Sequence, residues 1–138
     1  MYDTPNILLI DDNEIDSFIT KSIFIDNGFS KRIETSYTIS DALDYLNRSR
    51  KKTHSWPNLI LINLNMPGSG AHDFLLRLEE FPEFIANNCL IFILIDPAKK
   101  GSQLPQCTQK RVTGYLEKPL LNLDLKRISN QISEINER

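Results

Sequence analysis

Three stretches of the chain are apolar at consecutive positions: 6–10 (NILLI), 59–62 (LILI) and 90–95 (LIFILI). A strand with one wet face alternates polar with apolar residues; a strand covered on both faces does not. These runs therefore predict a parallel sheet between two layers of helices. A weaker run at 32–36 (RIETS) and the segment 113–117 (TGYLE) complete a set of five strands. Helical spacing fills the gaps. Residues 14–27 place Ile15, Phe18, Ile19, Ser22 and Ile23 on one face, with Gly28 as a C-terminal stop. Residues 40–47 place Leu43 and Leu46 together beside Ala42, and 71–80 carries Phe74, Leu75 and Leu78. In the tail, Leu121, Leu125, Ile128, Ile132 and Ile135 recur at helical intervals, the core face of a last helix in preference to a helix–helix seam. The segment 97–111 holds Pro97, Gly101 and Pro105, so any helix there is expected to be short or distorted.

Strand followed by helix, repeated five times, predicts an α/β fold with one doubly wound parallel sheet. Such sheets present their ligand sites at the carboxyl ends of the strands. The residues directly after the apolar runs are thus the candidates for chemistry: Asp11 and Asp12, then Asn63, then Ile95 and Asp96, then Lys118. The length of 138 residues suits one domain, 1–138, with no room for a separate output domain.

Charge and composition narrow the partners. Sixteen basic against eighteen acidic residues give a net charge of −2. That balance offers no general attraction to nucleic acid or to an anionic membrane. The basic run Arg48, Arg50, Lys51, Lys52 reads as a solvated helix end. Cys89 and Cys107 have neither CxxC spacing nor a cluster with His54 or His72, so two free thiols are expected, Cys89 as a small core residue. The start of the chain lacks the pattern of a signal peptide, and no apolar run approaches the ~20 residues needed to cross a bilayer. A soluble, cytoplasmic protein is expected.

Asp11 and Asp12 are adjacent acids at a strand end. Two carboxylates about 4 Å apart repel by about 4 kcal/mol at an effective dielectric near 20. Such a pair calls for a cation or for many donors, and hard divalent ions such as Mg²⁺ use it. The alternative is that Asp12 or Asn13 only caps the following helix. Lys118, ahead of Pro119 at the end of the fifth strand, points at the same crevice and could neutralise the acids.

Taken together, the acid pair Asp11-Asp12, the stretch 58–67 (NLILINLNMP) and the stretch 114–119 (GYLEKP) resemble the receiver domain of bacterial two-component response regulators. The resemblance runs from about Asn6 to Ile135, in the same order and spacing. It implies a flavodoxin-like (βα)5 domain with strand order 2-1-3-4-5. It also implies an aspartate at the end of the third strand that accepts a phosphoryl group from a histidine kinase. Carried over by position, Asp12 becomes the direct Mg²⁺ ligand, Asp11 the indirect one, and Asn65 the source of a backbone carbonyl. Lys118 becomes the phosphoryl-binding lysine and Tyr115 the switch aromatic.

Two positions depart from that pattern. The acceptor position is Asn63, whose neutral amide cannot form an acyl phosphate. The hydroxyl position is Ile95, which has no hydrogen bond to offer. Two departures that remove the same chemistry point to natural loss over an engineered asparagine. With one carboxylate fewer, Mg²⁺ binding is expected to be weak or absent. Asp96 adds an acid near the cleft, expected either to pair with Lys118, in competition with Asp11, or to cap the next turn. Ile95 fills space that Tyr115 enters in active receivers, so Tyr115 is expected to face outward.

The resulting expectation is a non-enzymatic receiver that works without phosphorylation, by docking. The docking face would comprise the fourth helix, fifth strand and fifth helix: parts of 103–111, Tyr115, and 121–138. The partner would be a histidine kinase, another signalling protein or a second copy of the chain. The alternatives are an ordinary receiver carrying an engineered Asn63, and a phosphohydrolase or flavin enzyme on a similar sheet. Adjacent acids with no second catalytic motif, and "DDNEID" where a phosphate loop would be rich in Ser, Thr or Gly, disfavour the enzymes.

Overall fold

The computed structural model describes residues 5–51, 56–67, 70–83, 89–99 and 112–136. Five strands form one parallel sheet: β1 (Asn6–Ile10), β2 (Arg32–Ser36), β3 (Leu59–Asn63), β4 (Leu90–Ile95) and β5 (Gly114–Glu117). Their order across the sheet is β2-β1-β3-β4-β5. Every residue of β1 and β3 is buried, as continuous apolar strands in the middle of a covered sheet require. Successive side chains then go to opposite layers. Leu8, Ile10, Ile60, Ile62, Ile91 and Ile93 pack with α2 (Ile39–Ser49) and α3 (Gly70–Leu78) through Ala42, Leu46, Phe74, Leu75 and Leu78. Ile7, Leu9, Leu59, Leu61, Phe92 and Leu94 pack on the other side with Phe24 of α1 (Glu14–Asp26) and with Leu125 and Ile128 of α4 (Asn122–Asn136).

The last helix uses its apolar stripe as core, with Leu125 and Ile128 buried and Ile132 and Ile135 packed against the same cluster. Leu121 falls outside it: it precedes the helix and is 63% exposed, and its N–H donates to Asp124 at 2.8 Å. Gly28 closes α1 in the left-handed region, φ 67°, and its N–H donates to the Ile25 carbonyl. After β4 the chain makes only one short 3₁₀ turn, Pro97–Lys99, before the described segment ends. The proposed fourth helix, in 103–111, lies outside the described residues.

Helix α1 keeps Ile23 of its expected apolar face against the core but turns Ile15, Phe18 and Ile19 outward. Its buried residues are Ser17, Thr20 and Phe24, while Ile15 and Phe18 are each 71% exposed and Ile19 is 42% exposed. The reason lies at the sheet. The first inward turn of α1 sits directly over the end of β1, where the Ser17 hydroxyl donates to the Asp11 carbonyl at 3.4 Å. Small polar side chains fit that close approach, and Phe24 reaches the apolar layer two turns on.

Candidate functional site

The parallel register brings the ends of three strands level. Ile10 of β1 lies opposite Ile62 of β3, and Asn63 lies opposite Leu94 of β4. Asp11 leaves β1 with its N–H still donating to Ser36, so the side chain is delivered on a fixed backbone. The chain then turns into α1. Asn13 is the N-cap, its side-chain oxygen accepting from the Asp16 N–H at 2.9 Å. On the opposite side of the crevice, the Lys118 N–H donates to the Ile95 carbonyl at 2.8 Å, which fixes the root of the lysine at the end of β5.

These elements bring Asp11, Asp12, Asn63 and Lys118 together, as expected from their positions after the strands. Asp11 is fully buried, with 0% exposure. Its Oδ1 accepts from the Asn13 N–H at 3.0 Å and from the Asn63 side-chain amide at 3.2 Å. Its Oδ2 accepts from Lys118 Nζ at 2.9 Å. The same Asn63 amide nitrogen donates to Asp12 Oδ1 at 3.3 Å. One side-chain –NH₂ thus bridges two carboxylates, which is how the adjacent acids are held close without a third acid between them.

Lys118 has a second carboxylate that the sequence did not reveal. Asp16, in the first turn of α1, accepts from Nζ through Oδ2 at 2.8 Å. The ammonium is shielded, with 9% of the side chain exposed. Burial pushes the Lys118 pKa down, but the hydrogen bonds to Asp16 and Asp11, with the charges of both, outweigh it and leave the group above its ordinary value.

Asp96 does not join this network. Its Oδ1 accepts from the Ala98 N–H at 2.9 Å, so it caps the 3₁₀ turn that begins at Pro97. Of the two roles anticipated for it, capping is the one formed, and Asp11 is the acid that takes the lysine. Tyr115 stands at the sheet edge, neither enclosed nor fully exposed. It is half-buried and packed, with Val112, against the core cluster containing Ile91 and Ile93. The body of a phenol ring covers apolar surface at a sheet edge more cheaply than it meets water. Ile95 is itself half-buried.

Comparison with proteins of known structure identifies the architecture. A two-component response regulator from Cytophaga hutchinsonii superposes with a TM-score of 0.81 at 23% identity, covering 96% of this chain and 99% of that one. A two-component response regulator from Legionella pneumophila gives 0.75 at 22% identity, covering 94% and 98%. A response regulator receiver domain protein from Methanospirillum hungatei JF-1 gives 0.73 at 18% identity, covering 99% and 100%. The fold is that of a response regulator receiver domain.

Sequence relatives agree with this receiver fold. The "Probable methanogenesis regulatory protein FilR2" of Methanothrix harundinacea (strain 6Ac) is 29% identical over 128 residues, 93% of this chain and 81% of that protein. APRR6 of Arabidopsis thaliana, described as two-component response regulator-like, is 30% identical over 128 residues. The match spans 91% of this chain but only 15% of APRR6. No protein-family model matches the chain.

The receiver fold implies a Mg²⁺ ion at the acid pair, and the side chains present do not suit one as arranged. Magnesium demands oxygen donors in near-octahedral geometry. Both oxygens of Asp11 are engaged by N–H donors, and one of those donors is an ammonium. Asn63 turns its –NH₂ toward the acids, while its Oδ1 is buried without a hydrogen-bond partner among the described residues. Asn65 is half-buried, and its side-chain nitrogen is likewise unpartnered there. Among the described residues, no group of three or more His, Cys, Asp or Glu forms a metal cluster. Nor is any helix there long and apolar enough to cross a membrane.

Proposed function

We propose that this chain is a receiver module of two-component signalling that works without accepting a phosphoryl group. One observation carries the reading: at the acceptor position the Asn63 side chain donates a hydrogen bond to both neighbouring acids. An aspartate there would offer a nucleophilic oxygen. Asn63 offers a bound amide whose nitrogen is already engaged and whose carbonyl is a poor nucleophile. Ile95 leaves the phosphoryl site without a hydroxyl, and the Lys118 ammonium is held by Asp11 and Asp16. None of these groups favours phosphoryl transfer, so the module acts by docking to a histidine kinase, to another signalling protein or to a second copy of itself. Tyr115 on β5 and the outer side of α4 form the described part of the docking surface. The reading assigns the domain no catalytic activity of its own.

The test is intact-mass measurement after incubation with acetyl phosphate and Mg²⁺, for the natural chain and for Asn63→Asp. The natural chain is expected to gain no phosphoryl mass under conditions that modify an ordinary receiver. A phosphorylated natural chain overturns the reading. Robust modification of Asn63→Asp would mark Asn63 as a block placed on otherwise working machinery.

A further inference from the structure

Asp11 and Asp16 flank one cation position in this cleft, Asp12 adjoins Asp11 through the Asn63 amide, and the fold implies a divalent ion at the acid pair. The structure instead places Lys118 there. Its ammonium lies 2.9 Å from Asp11 and 2.8 Å from Asp16, and the Asn63 amide spans Asp11 and Asp12 at 3.2 and 3.3 Å. With Asn63 uncharged, the lysine lacks a carboxylate at the end of β3. Asp16 supplies one from α1, on the other side of the crevice.

We propose that Asp16 joins Asp11 as the second anion that holds Lys118, so that the chain's own lysine replaces the divalent ion and the cleft is stable without metal. The inference rests on Asn63 having lost the acceptor role, but it makes a separate claim about Asp16 and about metal. Three features of the chain fit it. Asp16 stands in the first turn of a helix, where a negative charge is favoured by the helix dipole even before the lysine arrives. Its backbone is fixed there, since its N–H is taken by the Asn13 cap. And its side chain is 31% exposed, so it closes the outer side of the ammonium while the fully buried Asp11 holds the inner side. The result ties the start of α1 to the end of β5 across the mouth of the cleft.

The test is a set of thermal melts and calorimetric Mg²⁺ titrations on the full chain, as natural protein, Lys118→Met, Asp16→Asn and the double variant. The natural protein is expected to show no Mg²⁺-dependent shift in melting temperature at millimolar ion. Lys118→Met is expected to melt lower and to regain at least about 3 °C on adding Mg²⁺, because Asp11 Oδ2 and Asp16 Oδ2 are then left without a cation. The double variant is expected to melt well above the value obtained by adding the two single losses, since each single change removes the same ion pair. A natural protein stabilised by Mg²⁺ as strongly as Lys118→Met overturns the proposal, as does strict additivity of Asp16→Asn and Lys118→Met. Should Lys118→Met not fold, Lys118→Arg keeps the test open: it is expected to retain metal indifference, and a Mg²⁺ response in it counts against the proposal. Phosphorylation of the natural chain would overturn the functional reading while leaving the Asp16 coupling to be decided by these melts.

Discussion

The Asn63 side-chain nitrogen lies 3.2 Å from Asp11 Oδ1, and the two residues are 52 positions apart in the chain. This one contact joins the ends of β1 and β3 and sets the sign of the site. A donor at position 63 draws the acids together. An acceptor there would push them apart.

Asn63→Asp should therefore destabilise the domain at neutral pH in the absence of metal. It exchanges a hydrogen bond to a buried carboxylate for repulsion between buried charges. The expected loss is on the order of 2–3 kcal/mol, seen as a lower urea midpoint at unchanged slope. Added Mg²⁺ should restore part of it, because the variant has regained the oxygen set that the ion requires.

The alkaline limb of stability should depend on Lys118. Its pKa is raised above the ordinary 10.5 by the two carboxylates, despite burial. The folded state thus holds this proton to higher pH than the unfolded state does. The contribution is full below the unfolded value and is lost as pH rises through the raised folded value. Comparing natural protein with Lys118→Met, the stability difference should stay flat from neutral pH to the edge of the lysine range and shrink above it. A difference that already falls well below that range would contradict the assignment.

The two faces of α1 should respond oppositely to substitution. Phe24 is fully buried beside the Phe29 ring, with centroids 5.1 Å apart, and Phe24→Ala should cost about 3–5 kcal/mol. Phe18, at 71% exposure, should change stability by no more than about 0.5 kcal/mol when replaced by Ser. Paired denaturant curves would check both, and a large loss at Phe18 would mean that the helix is turned differently on the sheet.

Gly28→Ala isolates backbone strain. The glycine has φ 67°, and an added Cβ would meet nothing within 4 Å. The cost should be that of left-handed backbone alone, about 1 kcal/mol, and Gly28→Asn should cost less.

The sheet was legible in the sequence because buried parallel strands have a distinctive texture. The runs 6–10, 32–36 and 90–95 coincide with β1, β2 and β4, and β3 extends one residue beyond its run, to Asn63. The strand-end rule locates Asp11, Asp12, Asn63 and Lys118 from position alone. The helix periodicity of α1 misled because it shows that a helix has an apolar side, not which side packs. There, close approach to the β1 end selected Ser17 and Thr20 over Ile15 and Phe18. Asp16 is not legible in the sequence because an acid in a first helical turn is ordinary. Its partner is 102 positions away, so no local spacing betrays the pair. The available signal was positional: a helix that starts at a strand end aims the acids of its first turn into the crevice.

Trp56 gives the fold a spectroscopic consequence. It is the single tryptophan of the chain, 7% exposed, and packs on Phe81 with ring centroids 5.5 Å apart. It precedes β3 and lies in the apolar cluster under α2 and α3, whereas Asn63 ends that strand, four residue rises or about 13 Å beyond Leu59. Intrinsic emission should therefore follow melting of the layer under α2 and α3 and stay silent to events at Asp11 and Lys118. A fluorophore for those events has to be placed deliberately, and the exposed Phe18 position on α1 would accept a tryptophan without disturbing the core.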